Sequence, residues 1–183
     1  NHSKLMHRHI FEGVALAAAG RPDVIVELWP TSLLGKRGFL DAHPCSGIIA
    51  HVSPKNQRVL AEAGLPVVNV NNIAPTSRFP RVISDSHWAG QCAATYFLRR
   101  GFRHFGYIGY PSHHASNLRL AGYRQALDEN AHAVHDFEFS PTDREDLTLS
   151  SPKEQRRLQT WLRRLPKPGA WMETFKQDRK SVV

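Results

Sequence analysis

The sequence predicts an α/β fold, a parallel sheet flanked by helices. Three observations carry that expectation. Short apolar runs alternate with stretches of helical period, in the order strand, helix, strand. The run D-V-I-V-E-L-W at 23–29 is β-branched and nearly continuous in apolarity, as a buried parallel strand is. Ala89, Cys92, Ala93, Tyr96 and Phe97 form a helical stripe closed by Gly101. With 183 residues, 41% of them hydrophobic, the chain has material for one domain or two small lobes.

The elements follow in order. Leu5, Met6, Ile10, Phe11 and Val14 recur on one side of a predicted helix over 4–19, and Gly20 stops it. After the strand at 23–29, Leu33, Leu34, Phe39 and Leu40 suffice for one short helix between Pro30 and Pro44. C-S-G-I-I-A-H-V reads as a strand, the stretch from Pro54 to Gly64 as a helix, and P-V-V-N-V as the next strand. R-V-I-S-D at 81–85 returns to strand, with Asp85 or Ser84 placed to cap the helix after it. R-H-F-G-Y-I-G is a strand, the loop through Ser112, His113, His114 and Ser116 opens a helix holding Arg119, Tyr123 and Leu127, and 134–139 is a further strand. Leu158, Trp161, Leu162 and Leu165 define a last helix, capped by Ser150 or Ser151, whose arginines form its solvated face. After Pro168 the residues G-A-W-M-E-T-F-K-Q-D-R-K-S-V-V show no period and supply no closing element.

Composition narrows the function. No run approaches the roughly 18 apolar residues of a membrane helix. Cys45 and Cys92 lack C-x-x-C spacing and read as small core residues of a cytoplasmic protein. The net charge of +8 comes from arginines scattered over helix surfaces without an aromatic platform, so this segment is not expected to bind nucleic acid directly. Eleven histidines, among them His113/His114 and His132/His135, lack zinc-site companions, and no metal or cofactor is expected. No G-x-S-x-G, P-loop or H-E-x-x-H motif is present, so no enzyme is expected either.

What remains is an acid and a base. Asp85 ends one predicted strand and Arg119 lies one turn into the helix after another, so both arrive at the carboxyl edge of the sheet, where open α/β sheets bind ligands. A carboxylate accepting hydroxyl hydrogen bonds and a guanidinium donating several suit a neutral polyhydroxylated ligand such as a sugar. The competing assignment, a helix cap and a surface ion pair, is equally compatible with the spacing. Asn1 and Lys4 would open on the same edge if a strand preceded them.

From Val82 to Leu127, V-I-S-D-x-x-x-x-G-x-x-A-A-x-x-F-L-x-R-G-F-R-H-F-G-Y-I-G and then R-L-A-G-Y-R-Q-A-L resemble the sugar-binding core of the lactose-repressor family, which has the periplasmic-binding-protein fold. N-H-S-K at the start and W-L-R-R-L-P-K-P near the end resemble the branch of that family that regulates xylose operons, in which the sugar domain is fused to an AraC-type DNA-binding domain. The resemblance covers nearly all of 1–168. It implies a first lobe over 1–109, nearly complete but without its first strand, the start of a second lobe over 112–168, and a divergent tail over 169–183. It further implies a monosaccharide ligand, xylose or a related pentose, contacted by Asp85, Arg119, Asn1 and Lys4, with hinge closure as the mode of action. DNA would be reached only through a domain absent from this chain, and the intact protein would be a cytoplasmic homodimer. A transport-side periplasmic sugar-binding protein is the alternative on the same fold. The departures at both ends lead us to expect a truncated or frameshifted chain.

Overall fold

The computed structural model describes residues 2–34, 36, 38–139 and 152–173. They belong to two compact units, Asn1–Asn69 and Val70–Phe175.

The first unit begins with helix α1, His2–Ala18, on the predicted periodic stretch. The short helix expected between Pro30 and Pro44 is split into a 3-10 turn, Thr31–Leu33, and helix α2, Phe39–Ala42. Strand β1 (Ile48–Ala50), helix α3 (Gln57–Glu62) and strand β2 (Val67–Asn69) form the predicted strand-helix-strand unit, with Ile48 opposite Val67 in a parallel pair. Asn56 organises the entry to α3: its Oδ1 accepts the Ser53 N–H at 2.8 Å and its Nδ2 donates to the His51 carbonyl at 3.1 Å. Gly64 follows the helix at φ +66°, a conformation that side chains disfavour.

Two expected strands are not paired. Residues 24–29 and 82–85 form no ladder among the described residues, and Ile25 and Val82 are 87% and 70% exposed. Composition identified segments that favour extension. A strand, however, exists only where a neighbour takes its backbone hydrogen bonds.

The second unit is a three-stranded parallel sheet with helices on both faces. Its elements are helix α4 (Ser86–Arg99), strand β3 (His104–Gly109), helix α5 (His114–Asp128), strand β4 (Val134–Glu138), helix α6 (Pro152–Arg164) and strand β5 (Gly169–Glu173). The strand order is β4-β3-β5, with Tyr107 opposite both Asp136 and Met172. Side-chain alternation separates the faces. Phe105 and Tyr107 pack with Ala94, Tyr123 and Leu127 of α4 and α5, while Ile108 and Phe137 pack with Leu158 and Trp161 of α6. Gly106 makes room on the second face, since a Cβ there would lie 2.9 Å from the Trp161 ring.

Strand β5 corrects the reading of the tail. Residues 169–173 carry no alternation, yet they supply the third strand, because a strand buried against helices on one side and flanked by β3 needs pairing more than pattern. Residues 140–151 and 174–183, including the expected caps Ser150 and Ser151, lie outside the described residues. The lobe boundary expected between 109 and 112 does not coincide with the division observed at Val70, because α4 packs along α5 in the second unit.

The α4 stripe also turns out differently. Ala93 and Phe97 of the predicted stripe pack against the core, but Cys92 and Tyr96 are exposed, and Ser86, Gly90 and Ala94 are the fully buried residues of α4. Close approach to α5 adds the small residues Gly90 and Ala94 to the face on which Ala93 and Phe97 pack, so the neighbour turns the buried face away from Cys92 and Tyr96.

Candidate functional site

The carboxyl edge of the second unit's sheet is built around the turn from β3 into α5. Tyr107, buried on β3, donates its hydroxyl to the Ser116 carbonyl at 2.7 Å. The Ser116 hydroxyl in turn accepts the Tyr110 N–H at 3.0 Å. Gly109 allows this closure, for a Cβ there would lie 2.8 Å from the Ser116 Oγ. The first N–H groups of α5, which a helix leaves unpaired, are met by the loop at 72–73: His114 N–H donates to Ile73 at 2.8 Å and Ala115 N–H to Asn72 at 3.0 Å. Arg81 ties that loop together, donating to the Asn72 side chain and to the carbonyls of Ala74 and Pro75.

Aromatic rings line the same edge. Tyr110 stacks on Phe139 at 4.7 Å and on His113 at 5.7 Å between ring centroids. Burial depresses the His113 pKa below its usual value, so the ring is neutral at pH 7.

Asp85 is the N-cap of α4. Its backbone is extended and its Oδ1 accepts the Trp88 N–H at 2.9 Å. The carboxylate is exposed to solvent. Arg119 is half-buried in the second turn of α5. The two helices are pressed together by paired glycines: a Cβ on Gly90 would collide with the Arg119 carbonyl oxygen, and one on Gly122 with the His87 carbonyl oxygen. Asp85 therefore lies only about 7.5 Å along the α4 axis from the point where α4 meets the Arg119 backbone, at 1.5 Å per residue. The structure thus brings Asp85 and Arg119 onto two crossing helices of one unit.

It does not do so for the other expected residues. Asn1 lies outside the described residues. Lys4 is in the first turn of α1, in the other unit, and its side chain is not described. Sequence reasoning missed Tyr107, Ser116, Arg81 and Asn72, which hold the edge in shape. Their signal is weak, because each acts through a backbone partner set by the fold. No cluster of three or more His, Cys, Asp or Glu side chains suited to a metal ion occurs among the described residues. No helix among them is long and apolar enough to cross a membrane.

Comparison with known proteins agrees with this architecture. Residues 94–174 match the family model described as periplasmic binding protein-like domain, and that span lies within the second unit. The structure is similar to a LacI transcriptional regulator from Lactobacillus brevis, with a TM-score of 0.51 and 20% identity over 72% of this chain and 48% of that one. Similarity extends to a periplasmic binding protein/LacI transcriptional regulator from Alkaliphilus metalliredigens complexed with D-xylulofuranose, with a TM-score of 0.44 and 23% identity over 55% and 37% of the two chains. It also extends to the Cra regulator from Pseudomonas putida in complex with fructose 1-phosphate, with a TM-score of 0.43 and 26% identity over 54% and 38%. No curated protein sequence matches. The chain spans less than half the length of these solved relatives. The fold is periplasmic-binding-protein-like, with parallel sheets flanked by helices.

Proposed function

We propose that this chain is a ligand-sensing part of a sugar-responsive transcriptional regulator, binding a monosaccharide to control DNA binding by another domain of a longer protein. The observation that carries the reading is the periplasmic-binding-protein-like match over 94–174, on the unit that also presents Asp85 and Arg119 from crossing helices. A solvent-facing carboxylate on α4 and a guanidinium carried by the crossing helix α5 are the acceptor and donor set that a sugar's hydroxyls need. Such a site binds and does no covalent chemistry, which suits a sensor better than an enzyme.

In finer detail, the ligand is xylose or a related pentose, Arg119 and Asp85 hydrogen-bond its hydroxyls, and Asn1 and Lys4 contribute lesser contacts. The DNA-binding domain is of AraC type, and the intact protein works as a cytoplasmic homodimer. The resemblance from Val82 to Leu127 supports a sugar ligand at Asp85 and Arg119, and that of N-H-S-K and W-L-R-R-L-P-K-P to the xylose-operon branch supports the finer assignments. Titration calorimetry on the longer protein with D-xylose, L-arabinose and D-ribose tests them. Heat of binding with one pentose, abolished by Arg119→Ala, is the expected result. The absence of heat with every pentose would remove the sensor reading.

A further inference from the structure

The arginine-rich helix α6 has no place in the sugar site, yet it borders a groove of the second unit. That groove, about 990 Å³, runs between α6 and strand β4. One wall is α6, with Lys153, Arg156, Arg164 and Trp161, and the other is the outer edge of β4 at Asp136, Phe137 and Glu138, where Phe137 turns its ring toward α6.

Strand β4 is an edge of the sheet among the described residues. Phe139 donates its N–H to the Gly109 carbonyl at 3.1 Å. Since alternate residues turn their backbone groups to opposite sides of a strand, Asp136 and Glu138 direct their N–H and C=O away from β3, into the groove. Among the described residues neither N–H has a backbone partner. This is a row of open hydrogen-bonding positions.

The opposite wall is cationic. Lys153, Arg156 and Arg164 are exposed, whereas Arg157 is engaged with Glu154 and lies over the Phe137 ring. Helical positions four apart rise about 6 Å. An added strand repeats its side chains on one face every ~6.6 Å. Lys153 and Arg156 stand about 4.5 Å apart along the α6 axis and Arg156 and Arg164 about 12 Å, within reach of long side chains on residues ~6.6 Å and ~13 Å apart in an added strand.

We propose that this groove is a docking surface for an extended acidic segment of a partner protein, which adds to the free edge of β4 and sets alternate carboxylates against Lys153, Arg156 and Arg164. Main-chain hydrogen bonds supply the affinity and the α6 cations the specificity. Asp136 does not oppose this, because Arg124 pairs with it. Glu138, on the same face of β4 as Asp136 and away from α6, disfavours a uniformly charged phosphate backbone along this edge. An alternating peptide avoids it by turning neutral residues to that side.

The test is fluorescence anisotropy of the whole chain with a labelled ten-residue peptide alternating Glu and Val. Saturable binding is expected, weakened about tenfold or more by the double substitution Arg156→Glu/Arg164→Glu, and weakened similarly when the peptide nitrogens facing β4 are methylated. A Lys-for-Glu peptide should not bind. Equal binding of the methylated peptide, indifference to charge reversal, or no binding at all would overturn the proposal. So would binding of a single-stranded oligonucleotide, sensitive to the charge reversal, in place of the peptide.

Discussion

Gly90 of α4 lies directly against the carbonyl oxygen of Arg119 on α5, with no room between them for a single methyl group. The reciprocal contact, Gly122 against the His87 carbonyl, makes the crossing two-sided. Helices that approach this closely fix the position of the Asp85 cap relative to the Arg119 turn, so the spacing of the candidate site is set by backbone packing.

Gly90→Ala should therefore act on both fold and site. The added methyl meets backbone atoms, which cannot rotate away, and overpacking of this kind costs about 1–3 kcal/mol. A thermal melt of the variant should show the loss. Because the helices must move apart, sugar binding should weaken as well. A variant as stable as the parent would show that the crossing relaxes without cost.

Asp85 separates a structural from a binding role. Its Oδ1 holds the Trp88 N–H, and loss of such a cap costs about 1 kcal/mol. Asp85→Asn or Asp85→Ser keeps an N-capping acceptor and should preserve the melting temperature while removing the carboxylate. If Asp85 contacts a sugar, calorimetry should show weakened binding in both variants. Unchanged affinity would leave Asp85 a cap only.

The end of α4 is a second place where backbone geometry decides. Gly101 has φ +78°, its N–H reaches the Leu98 carbonyl, and the Phe102 N–H reaches Phe97, whose ring packs edge-on against Phe102. This is a Schellman ending with its apolar contact. Gly101→Ala should cost roughly 1–2 kcal/mol, and Gly101→Asn less, because Asn tolerates the left-handed region. Chemical denaturation of the two variants reads the difference directly.

The contrast between α4 and β5 shows what the sequence can carry. Asp85, Gly101 and the length of α4 are legible because caps and stops are local chemistry. The face that α4 buries is legible only in part, in Ala93 and Phe97, because α5 chooses the rest, taking Gly90 and Ala94 and leaving Cys92 and Tyr96 outside. Strand β5 is invisible for the same reason: Gly169 to Glu173 become a strand by pairing with His104 to Ile108. Conversely, 24–29 and 82–85 have strand composition and no partner among the described residues. Of the candidate site, Asp85 is legible as a helix cap and Arg119 as a residue of the helix after β3, whereas Tyr107 and Ser116 are not, since their contact spans the turn between β3 and α5.

His113 makes stability depend on pH. Burial lowers its folded pKa below the unfolded value of 6.5, so below that value the unfolded chain binds more protons than the folded one. Its contribution is therefore complete above pH 6.5 and is lost as pH falls through the window down to the folded pKa. His113→Phe keeps a ring beside Tyr110 but cannot titrate. The drop in melting temperature between pH 7.5 and pH 5.5 should be smaller in His113→Phe than in the parent. An identical drop would place the dependence on other groups.

The Tyr107–Ser116 pair is the strongest test of how the sheet edge is held. Ser116→Ala removes the hydroxyl that accepts the Tyr110 N–H, leaving that donor without its partner. An unmet, largely shielded donor costs about 1–3 kcal/mol. Tyr107→Phe removes only the donor to the Ser116 carbonyl, a group that can still accept within α5, so its loss should be nearer 1 kcal/mol. Both substitutions act on one turn, and the Tyr107 hydroxyl also lies 3.3 Å from the Ser116 hydroxyl, so the double variant should lose less than the two single losses together. Denaturant titration of all four proteins measures that coupling. Strict additivity would mean that β3 and the first turn of α5 are held by their separate backbone bonds, and that the shape of the candidate site does not depend on Ser116.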